Sequence, residues 1–342
     1  MKLTTLCYIK KDNKYLMLHR VKKEKDCNKD KWIGVGGKLE EKESPEDCLL
    51  REVFEETGLV LEEYKFRGIV TFVSDIWETE YMYLYTATKY HGTIKECDEG
   101  NLEWVEKQRI DQLPIWEGDR LFLRMIEKEQ PFFSLKLSYQ QDDLIGAVLN
   151  GKPLEFFDLL EPSGHKTGKT KPRSLVHFDG DWHATSHIWV VRKQNNYTYD
   201  VLLQKRSQCK DSFPGYYDVS SAGHVSAGDD YFESAVREMK EELGLTVQEE
   251  NMQYITQLSH EYETMFHNKQ WIDREITNVY LYRLEDENTV FELQAEEVEE
   301  VKWFNIEECY HMVKEGTLKT CIILEELDVI YNYLKNLTSQ DR

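Results

Sequence analysis

The sequence predicts an α/β protein that consists of two copies of one domain. Segments with the apolar–polar alternation of strands surround helical segments whose apolar residues recur every three to four positions. The same order of segments occurs in each half of the 342-residue chain. A chain of this length accommodates two domains of ordinary size, each with its own core.

The duplication is clearest in two segments that begin at Gly37 and Gly223. The first reads GKLEEKESPEDCLLREVFEETGL and the second GHVSAGDDYFESAVREMKEELGL, with Gly, Arg-Glu, Glu-Glu and the final Gly at the same offsets. Two unrelated acidic helices would not also repeat the neighbouring strands and turns. We therefore predict tandem domains at residues 1–152 and 153–342, because Gly and Pro interrupt two apolar stretches near this boundary.

In the first half, two apolar segments joined by a polar turn predict a pair of strands at the start of the chain. A helix is predicted from about Pro45 to Thr57, because Ser44 suits an N-cap and proline suits the first helical position. Gly58 provides the left-handed stop. Alternating residues at 67–90, a Trp-containing strand and a second helix follow.

The second half repeats this order. Residues 187–207 predict two strands, residues 274–285 predict another, and a Trp-containing strand and a helix follow. Residues 161–173, EPSGHKTGKTKPR, are rich in Gly, Pro and Lys. This composition predicts a loop or an entry arm of the second domain.

Charge and cysteine content limit the partners and the compartment. The chain has 43 basic and 64 acidic residues, a formal net charge of −21, which disfavours nucleic-acid polymers and anionic membranes. A small phosphorylated substrate that carries its own metal ions stays compatible with this charge. Seven cysteines without a C-x-x-C pair predict neither a disulfide framework nor a zinc ribbon. No signal sequence or membrane span is predicted, so we expect a cytoplasmic protein, with its oligomeric state open.

The first predicted helix carries three glutamates within one turn. Glu52, Glu55 and Glu56 share one face, where their repulsion opposes helix formation by a few tenths of a kcal/mol per pair. Arg51 is expected to point about 100° away from this face. A divalent cation is therefore favoured, and oxygen ligands favour Mg²⁺ or Mn²⁺. An ordinary solvated acidic face is the alternative.

The surrounding residues resemble the Nudix box, G-x5-E-x7-R-E-U-x-E-E-x-G-U, in which U is apolar. The match is complete, through Gly37, Glu43, Arg51, Glu52, Val53, Glu55, Glu56, Gly58 and Leu59. The resemblance extends over the whole chain as two tandem Nudix domains. It implies two α/β/α sandwiches, each a mixed β-sheet flanked by helices, and hydrolysis of a diphosphate with Mg²⁺ or, alternatively, Mn²⁺.

The resemblance also assigns roles in the first domain. The implied metal ligands are three carboxylates and a carbonyl, those of Glu52, Glu55, Glu56 and Gly37. The basic side chains available to phosphate oxygens are Arg20, Lys23 and Lys38. Arg51 and Glu43 are expected to brace the loop onto the helix, and Glu99 matches a distal acid that assists the metal or the water.

Beyond the box, the first domain resembles MutT-type 8-oxo-dGTP diphosphatases in the segments KWIGVGGK and CDEGNLEWV and from residue 113 onward. The resemblance implies that Trp116 stacks on a purine and that Asp119 bonds to the edge of the base. A packing role is the alternative for Trp116. Ile33 stands where the mammalian-type enzymes have Asn, and Gly118 where they have a second acid, which puts the choice of base in doubt.

The second box keeps its glycines, its arginine and its three acids, at Gly223, Arg237, Glu238, Glu241, Glu242 and Gly244. The implied metal ligands are those of Gly223, Glu238, Glu241 and Glu242. Asp229 replaces the first glutamate of the box, and a shorter side chain can still reach the bracing arginine. A second hydrolytic site for a diphosphate is therefore predicted, and a nucleotide-sensing module that regulates the first domain is the alternative.

The flanks of the second box resemble the Nudix branch related to isopentenyl diphosphate isomerase. In true isomerases a catalytic Cys lies two residues before a metal-binding His, whereas this chain has Ala222 before His224. Isomerase chemistry is therefore disfavoured. His177, His183, His224 and Glu275 are candidate remnants of that metal site, with ordinary hydrogen-bonded polar residues as the alternative. For the first domain, another nucleoside or sugar diphosphate is the alternative substrate.

Overall fold

In a computed structural model, the chain is described at residues 1–23, 25–194, 198–210, 212–266, 269–286 and 288–340. It folds into two compact units, Met1–Leu154 and Glu155–Arg342, here called unit 1 and unit 2. Each unit contains a mixed β-sheet flanked by helices, so the predicted fold class is confirmed. No helix in the described ranges is long and apolar enough to cross a membrane.

Unit 1 is built around a nine-stranded sheet of order β3-β2-β1-β5-β4-β7-β8-β9, with β6 paired to β2. Its strands are β1 (Lys2–Lys11), β2 (Lys14–His19), β3 (Trp32–Ile33), β4 (Leu59–Ser74), β5 (Glu80–Gly92), β6 (Asn101–Glu106), β7 (Phe133–Gln140), β8 (Asp143–Leu149) and β9 (Lys152–Pro153). Its helices are α1 (Pro45–Thr57) and α2 (Glu117–Glu127). The pairs β1–β5 and β4–β7 are parallel, and the others are antiparallel.

The helix α1 has the predicted bounds because both of its ends are capped. The Ser44 hydroxyl accepts from the Asp47 amide at 3.1 Å, and the Asp47 carboxylate accepts from the Ser44 amide at 3.0 Å. Gly58 adopts a φ of 77° and ends the helix. Leu49 and Val53 bury the apolar face of α1 against β1 and β2.

The opposite face of this sheet carries α2. Because successive side chains of a strand point to opposite faces, Cys7 and Ile9 of β1 pack toward α1 while Tyr8 points the other way. The Tyr8 ring meets Phe122 of α2 at 6.0 Å and Tyr15 of β2 at 5.6 Å between centroids. Unit 1 is thus a sheet between two helices.

Unit 2 repeats this design with a seven-stranded sheet of order β14-β13-β12-β17-β16, in which β15 pairs with β12 and β18 with β13. Its strands are β10 (Phe156–Leu160), β11 (Lys166–Pro172), β12 (Trp182–Lys193), β13 (Tyr199–Arg206), β14 (Tyr217–Asp218), β15 (Ser221–His224), β16 (Met252–Phe266), β17 (Lys269–Arg283) and β18 (Val298–Asn305). Its helices are α3 (Arg173–Asp179), α4 (Tyr231–Leu243), α5 (Ile306–Lys314) and α6 (Leu324–Gln340). The pair β12–β17 is parallel.

Alternate residues of β12 enter two separate cores. Ile188 and Val190 pack with Met239 of α4, whereas Trp189 packs with Leu327 of α6. The sheet of unit 2 therefore lies between α4 on one face and α5 with α6 on the other, as an α/β/α sandwich requires.

The expectation of a loop at residues 161–173 is wrong for Lys166–Pro172, and the alternative, an entry arm of the second domain, stays a prediction. Residues Lys166–Pro172 form β11, which pairs antiparallel with β10, for example at Phe157 and Lys171. Backbone hydrogen bonding to a neighbouring strand outweighs the weak strand preference of the Lys- and Gly-rich sequence, because pairing depends on the partner rather than on composition.

Candidate active sites

Glu52, the first of the three helical box glutamates of unit 1, lies against a glycine of the preceding loop. Backbone pairing holds this loop on β1, and the Thr5 amide donates to the Gly37 carbonyl at 2.9 Å. The Glu52 carboxyl group packs so closely on Gly37 that a Cβ at this position would overlap it. The Gly37 carbonyl, expected to bind metal, thus already accepts one hydrogen bond, and the weak thiol donor of Cys48 approaches it at 3.6 Å.

Arg51 connects the loop to the acidic face of α1. Its guanidinium donates to Glu43 at 2.6 and 2.9 Å, to Glu52 at 2.8 Å and to Glu55 at 3.2 Å. The expectation that Arg51 points away from these acids is wrong, because a long side chain can bend back toward a face that its Cβ does not face. Arg51 therefore offsets part of the repulsion among the acids, and its hydrogen bonds hold the pKa of Glu43 at about 2.

Glu56 is the buried member of the three acids. Its carboxylate accepts from the Gly36 amide at 3.0 Å, and the Arg20 guanidinium lies 3.9 Å away. Burial raises the pKa of Glu56 to about 7, against the opposing effects of the Gly36 amide and Arg20. Glu55 differs, since 58% of its side chain is exposed.

The distal acid Glu99 is linked to the acidic face of α1 by a basic side chain, that of Arg20, which lies between Glu56 and Glu99. The Arg20 guanidinium contacts both Glu99 and Asp26, the latter at 2.7 Å, and the Lys23 ammonium contacts Glu99. Arg20 and Lys23, expected to meet phosphate oxygens, are therefore ion-paired in this structure. Lys38 is exposed, and its ammonium forms no ion pair with the described residues.

The box acids of both units form open rather than closed sets of oxygen ligands. Among the described residues, three ligand atoms come within 4.8 Å of one another only in a histidine-containing cluster of unit 2, and not at either box. Glu55 and Glu241 lie on the exposed side. This arrangement fits Mg²⁺, which keeps several waters and is held by one or two carboxylates together with substrate phosphates.

Trp116 lies at the start of α2 and is only 5% exposed. Its indole N–H donates to the Asn28 side chain at 2.8 Å, and the rings of Phe72 and Tyr139 meet it edge to face. The Lys31 ammonium lies 4.1 Å from its ring centroid. Stacking of a base on Trp116, as expected from the sequence, therefore requires that Lys31 move aside.

Asp119 lies beside Trp116 and is 5% exposed. Burial raises the pKa of Asp119 to about 8, and its carboxyl group makes no hydrogen bond to any residue in the described part of the chain. Gly118 donates its amide to the Tyr139 hydroxyl at 2.8 Å, and a Cβ there would overlap Leu137 and Tyr139. A side chain larger than glycine at position 118 would therefore have to displace Leu137 and Tyr139.

The box of unit 2 repeats the glycine contact. The Glu238 carboxyl group packs on Gly223, where a Cβ would overlap it. Arg237 donates to Asp229 at 2.6 Å, so the shorter acid still reaches the arginine. Burial raises the pKa of Glu238 to about 7. The same geometry thus recurs in both units despite the Glu-to-Asp change.

Glu242 is the buried acid of this second box. Its carboxylate accepts from the Ser221 hydroxyl at 2.7 Å and from the Ala222 amide at 3.2 Å. Burial raises the pKa of Glu242 to about 8. The strand β15 thereby connects the box helix α4 to a cluster of histidines, because Ser221 and Ala222 contact Glu242 and His224 of the same strand belongs to the cluster.

That cluster brings together the histidines singled out in the sequence. The Nδ1 atoms of His177 and His183 donate to backbone carbonyls at 2.9 and 3.0 Å, so in the neutral rings Nε2 is the nitrogen without a proton, the one that can bind a cation. The Nε2 atoms of His177 and His224 are 3.2 Å apart. Burial lowers the pKa of all three rings, that of His183 to about 3, and the His183 Nε2 has no hydrogen-bond partner in the described residues.

Two carboxylates complete this group. Glu275 lies 3.9 Å from both His183 and His224, and Asp273 lies 3.6 Å from His183. Neutral imidazoles beside carboxylates are a donor set for a first-row transition metal or Zn²⁺. Asp273 was not among the sequence-predicted residues, although its i, i+2 spacing from Glu275 places both on one face of β17.

A second feature of unit 2 that the sequence did not indicate is a buried acid on α6. Glu326 accepts from His187 Nδ1 at 2.8 Å and from the Trp189 indole at 2.7 Å. The H-x-W spacing of the two donors indicates one face of a strand, but nothing near Glu326 in the sequence indicates that it joins them.

Comparison with known proteins gives a family match in both halves. Residues 2–126 and 182–320 each match the NUDIX domain. Nudix hydrolase 3 of Arabidopsis thaliana is 43% identical over 156 residues, which cover 45% of this chain and 20% of that protein. The oxidized purine nucleoside triphosphate hydrolase of Danio rerio is 30% identical over 125 residues, covering 36% of this chain and 79% of that protein.

Among solved structures, the mutator MutT protein from Bacillus halodurans aligns with 24% identity and a TM-score of 0.40, over 45% of this chain and all of that one. The chain spans only 20% of the length of the Arabidopsis relative.

Proposed function

Because the chain belongs to the NUDIX family and contains its domain twice, we propose that it is a Mg²⁺-dependent hydrolase of nucleoside di- and triphosphates, with one active site in each unit. The observation that carries this proposal is the repeated contact between a box glutamate and a glycine, Glu52 on Gly37 and Glu238 on Gly223. Mn²⁺ is the alternative cation.

Hydrolysis of a phosphoanhydride requires water to attack a phosphorus atom that is surrounded by anionic oxygens. The bound cation supplies charge neutralisation and acidifies the water. In unit 1, Glu52 and Glu56 offer ligand oxygens, and Arg51 holds Glu52 and Glu55 in place. The exposed Lys38 ammonium is available to a phosphate oxygen.

For unit 1 we propose the conversion of 8-oxo-dGTP to 8-oxo-dGMP and pyrophosphate. The similarity to an oxidized purine nucleoside triphosphate hydrolase supports this substrate class. Asp119 supports a purine, because a buried neutral carboxyl group offers one donor and one acceptor to the edge of a base. Another nucleoside or sugar diphosphate is the alternative.

For unit 2 we propose hydrolysis of a nucleoside diphosphate or a related pyrophosphate, with a further metal ion held by His177, His183 and His224. The convergence of their Nε2 atoms supports this ion. Ala222 offers no nucleophile or acid, which argues against isomerase chemistry. A nucleotide-sensing module is the alternative function of this unit.

A substrate screen tests the chemistry. The full chain is incubated with nucleoside di- and triphosphates and Mg²⁺ or Mn²⁺, and products are identified by mass. Glu56→Gln should keep the fold and lower the turnover of unit 1 by roughly 10²- to 10⁴-fold. Glu41→Gln, at an exposed position of the loop, is the matched control. Absence of hydrolysis of every nucleotide with either cation would overturn the proposal.

A kinetic comparison tests the choice of base in unit 1. The kcat/KM for 8-oxo-dGTP should exceed that for dGTP, because oxidation changes the donors and acceptors that face Asp119. Trp116→Ala should raise KM for both nucleotides, and Asp119→Ala should reduce the preference. Equal kcat/KM values for the two nucleotides in the unsubstituted protein would contradict the proposed base.

A further inference from the structure

One imidazole beside the second box has no role in the proposed metal sites. His187 of β12 lies directly opposite Ala222 of β15 in the antiparallel register. Directly opposed residues place their side chains on the same face of a sheet. The Ala222 amide also donates to the box acid Glu242. His187 therefore lies next to the strand that connects Glu242 to the histidine-containing cluster.

The orientation of this imidazole is fixed by a buried carboxylate. Glu326 is 1% exposed, and its two oxygens accept from His187 Nδ1 and from the Trp189 indole. With both oxygens engaged, the carboxylate cannot rotate without losing a hydrogen bond. The His187 Nε2 atom consequently points away from Glu326, and it makes no hydrogen bond to the residues that the structure describes.

The charges around His187 are mostly negative. The groups that act on it are Glu326 from α6, Glu275 from β17 and Asp218 from β14. Burial of the ring opposes its protonation, but the Glu326 carboxylate outweighs burial and raises the pKa of His187 to about 9. At neutral pH the ring is then an imidazolium with a free Nε2–H donor.

Other cations near this site are already paired. Arg206 donates to Asp218 at 2.9 Å, and Arg237 donates to Asp229 at 2.6 Å. A diphosphate carries several anionic oxygens, and charge-assisted hydrogen bonds to such oxygens are the strong ones. The His187 imidazolium, whose Nε2–H has no partner in the described residues, is therefore a donor suited to this substrate class.

We propose that His187 is a substrate-binding residue of unit 2, whose Nε2–H donates a hydrogen bond to an anionic oxygen of the diphosphate, with Glu326 as its positioning residue. This inference rests on the proposed hydrolase function of unit 2. It assigns a contact that neither box acids nor the histidine cluster provide. The competing role is a structural tether between α6 and the sheet.

Two substitutions separate these roles. In His187→Asn, the amide nitrogen replaces Nδ1 as the donor to Glu326, but no atom replaces Nε2. A structural tether is therefore retained in His187→Asn, whereas a substrate contact is lost. Glu326→Gln keeps the shape of the carboxylate and removes the charge that fixes and protonates His187. His311→Asn, at an exposed position of α5, is the matched control.

The experiment uses the full chain in the Glu56→Gln background with methylenediphosphonate and Mg²⁺ as the probe. Calorimetry measures the Kd, and long-range ¹⁵N NMR measures the imidazole nitrogens of His187, assigned through the ring carbons. Loss of a charge-assisted hydrogen bond predicts a roughly tenfold to hundredfold rise in Kd for His187→Asn. KM for the unit 2 substrate should rise similarly. The Nε2 resonance should shift on addition of the probe while Nδ1 stays bonded to Glu326.

The outcomes are distinct. If His187→Asn binds the probe as the unsubstituted protein does, and Nε2 does not shift, the inference is overturned while the hydrolase function stands. If unit 2 hydrolyses no diphosphate and binds no probe, the proposed function fails and the inference fails with it. If His187→Asn does not fold, the NMR measurement on the protein with His187 intact is the test. A shift of the Nε2 resonance on addition of the probe supports the inference, and no shift overturns it. His311→Asn should change none of these values.

Discussion

At the scale of single residues, two glycines determine where the first glutamate of each box helix, Glu52 or Glu238, lies. Gly37 and Gly223 leave room for the carboxyl groups of Glu52 and Glu238, which fill the space that a Cβ would occupy. Burial then separates the neighbouring acids, because Glu56 and Glu242 are enclosed while Glu55 is exposed. Burial raises the pKa of the two enclosed acids, Glu56 to about 7 and Glu242 to about 8.

The contact at Gly37 predicts the effect of a single methyl group. Gly37→Ala should displace the Glu52 carboxyl group and weaken Mg²⁺ binding or turnover in unit 1 by roughly 10- to 100-fold, as when groups that orient a metal ligand are altered. Gly146→Ala is the matched control, since a Cβ there meets only Ser138, at 3.9 Å. Unchanged kcat/KM and Mg²⁺ dependence in Gly37→Ala would contradict the role of this glycine.

The pair of His187 and Glu326 predicts a pH dependence of stability. The pKa of His187 is about 9 in the folded protein, against 6.5 as its ordinary value. The folded pKa is the higher one, so the stabilisation is complete below pH 6.5, declines between pH 6.5 and 9, and is lost above that. Its size is on the order of 3 kcal/mol at most.

Urea unfolding of the unsubstituted protein and of His187→Asn between pH 6 and 9.5 measures this contribution. The difference in unfolding free energy between the two proteins should shrink as the pH rises. A difference that stays constant over this range would show that His187 does not gain a proton on folding.

At the scale of elements, α1 and α4 are two versions of one box helix. Each begins at an N-cap side chain, Ser44 or Asp230, and each ends at a left-handed glycine, Gly58 or Gly244. Capping matters here because acids crowded on one face oppose helix formation. The caps and the bracing arginines offset this repulsion before any cation binds.

The two N-caps predict separate, local effects on stability. Ser44→Ala and Asp230→Ala should each cost about 1 kcal/mol, because the first-turn amides lose their acceptor. Hydrogen exchange with mass spectrometry should show roughly fivefold faster exchange in α1 for Ser44→Ala and in α4 for Asp230→Ala. Each variant is the control for the other, and exchange that rises equally in both helices would contradict a local cap effect.

At the scale of the whole molecule, one scaffold carries two different sites. The site proposed for unit 1 combines the box with Trp116 and Asp119, whereas the site proposed for unit 2 combines it with three histidines and two carboxylates. The shared fold positions the box, and residues outside it differ, as expected when function depends on sites rather than on the fold. The contacts that hold each set of box acids join residues of the same unit.

This separation predicts that the two activities are independent. Glu56→Gln should lower the activity of unit 1 by roughly 10²- to 10⁴-fold and leave that of unit 2 within about twofold, and Glu242→Gln should do the reverse. The double variant should show the sum of the two losses, as measured by kcat/KM on the substrate of each unit. A loss of both activities in either single variant would instead support a regulatory function for unit 2.

The sequence by itself determined the features that depend on neighbouring residues. The bounds of α1 follow from Ser44, Pro45 and Gly58, because capping and proline preferences act within a few positions. The paired strands follow from alternation, and the duplicated fold follows from the repeated order of segments. The box acids were found because their spacing on one helix places them on one face.

Only the tertiary structure decided the features that join distant parts of the chain. Lys31 lies over Trp116, Asp273 joins the histidines, and Glu326 meets His187 although 139 positions separate them. Such pairs depend on strand order and helix packing, which no local pattern encodes. The direction of Arg51 belongs here too, because the charges around a long side chain, rather than its position on the helix, determine where its guanidinium lies.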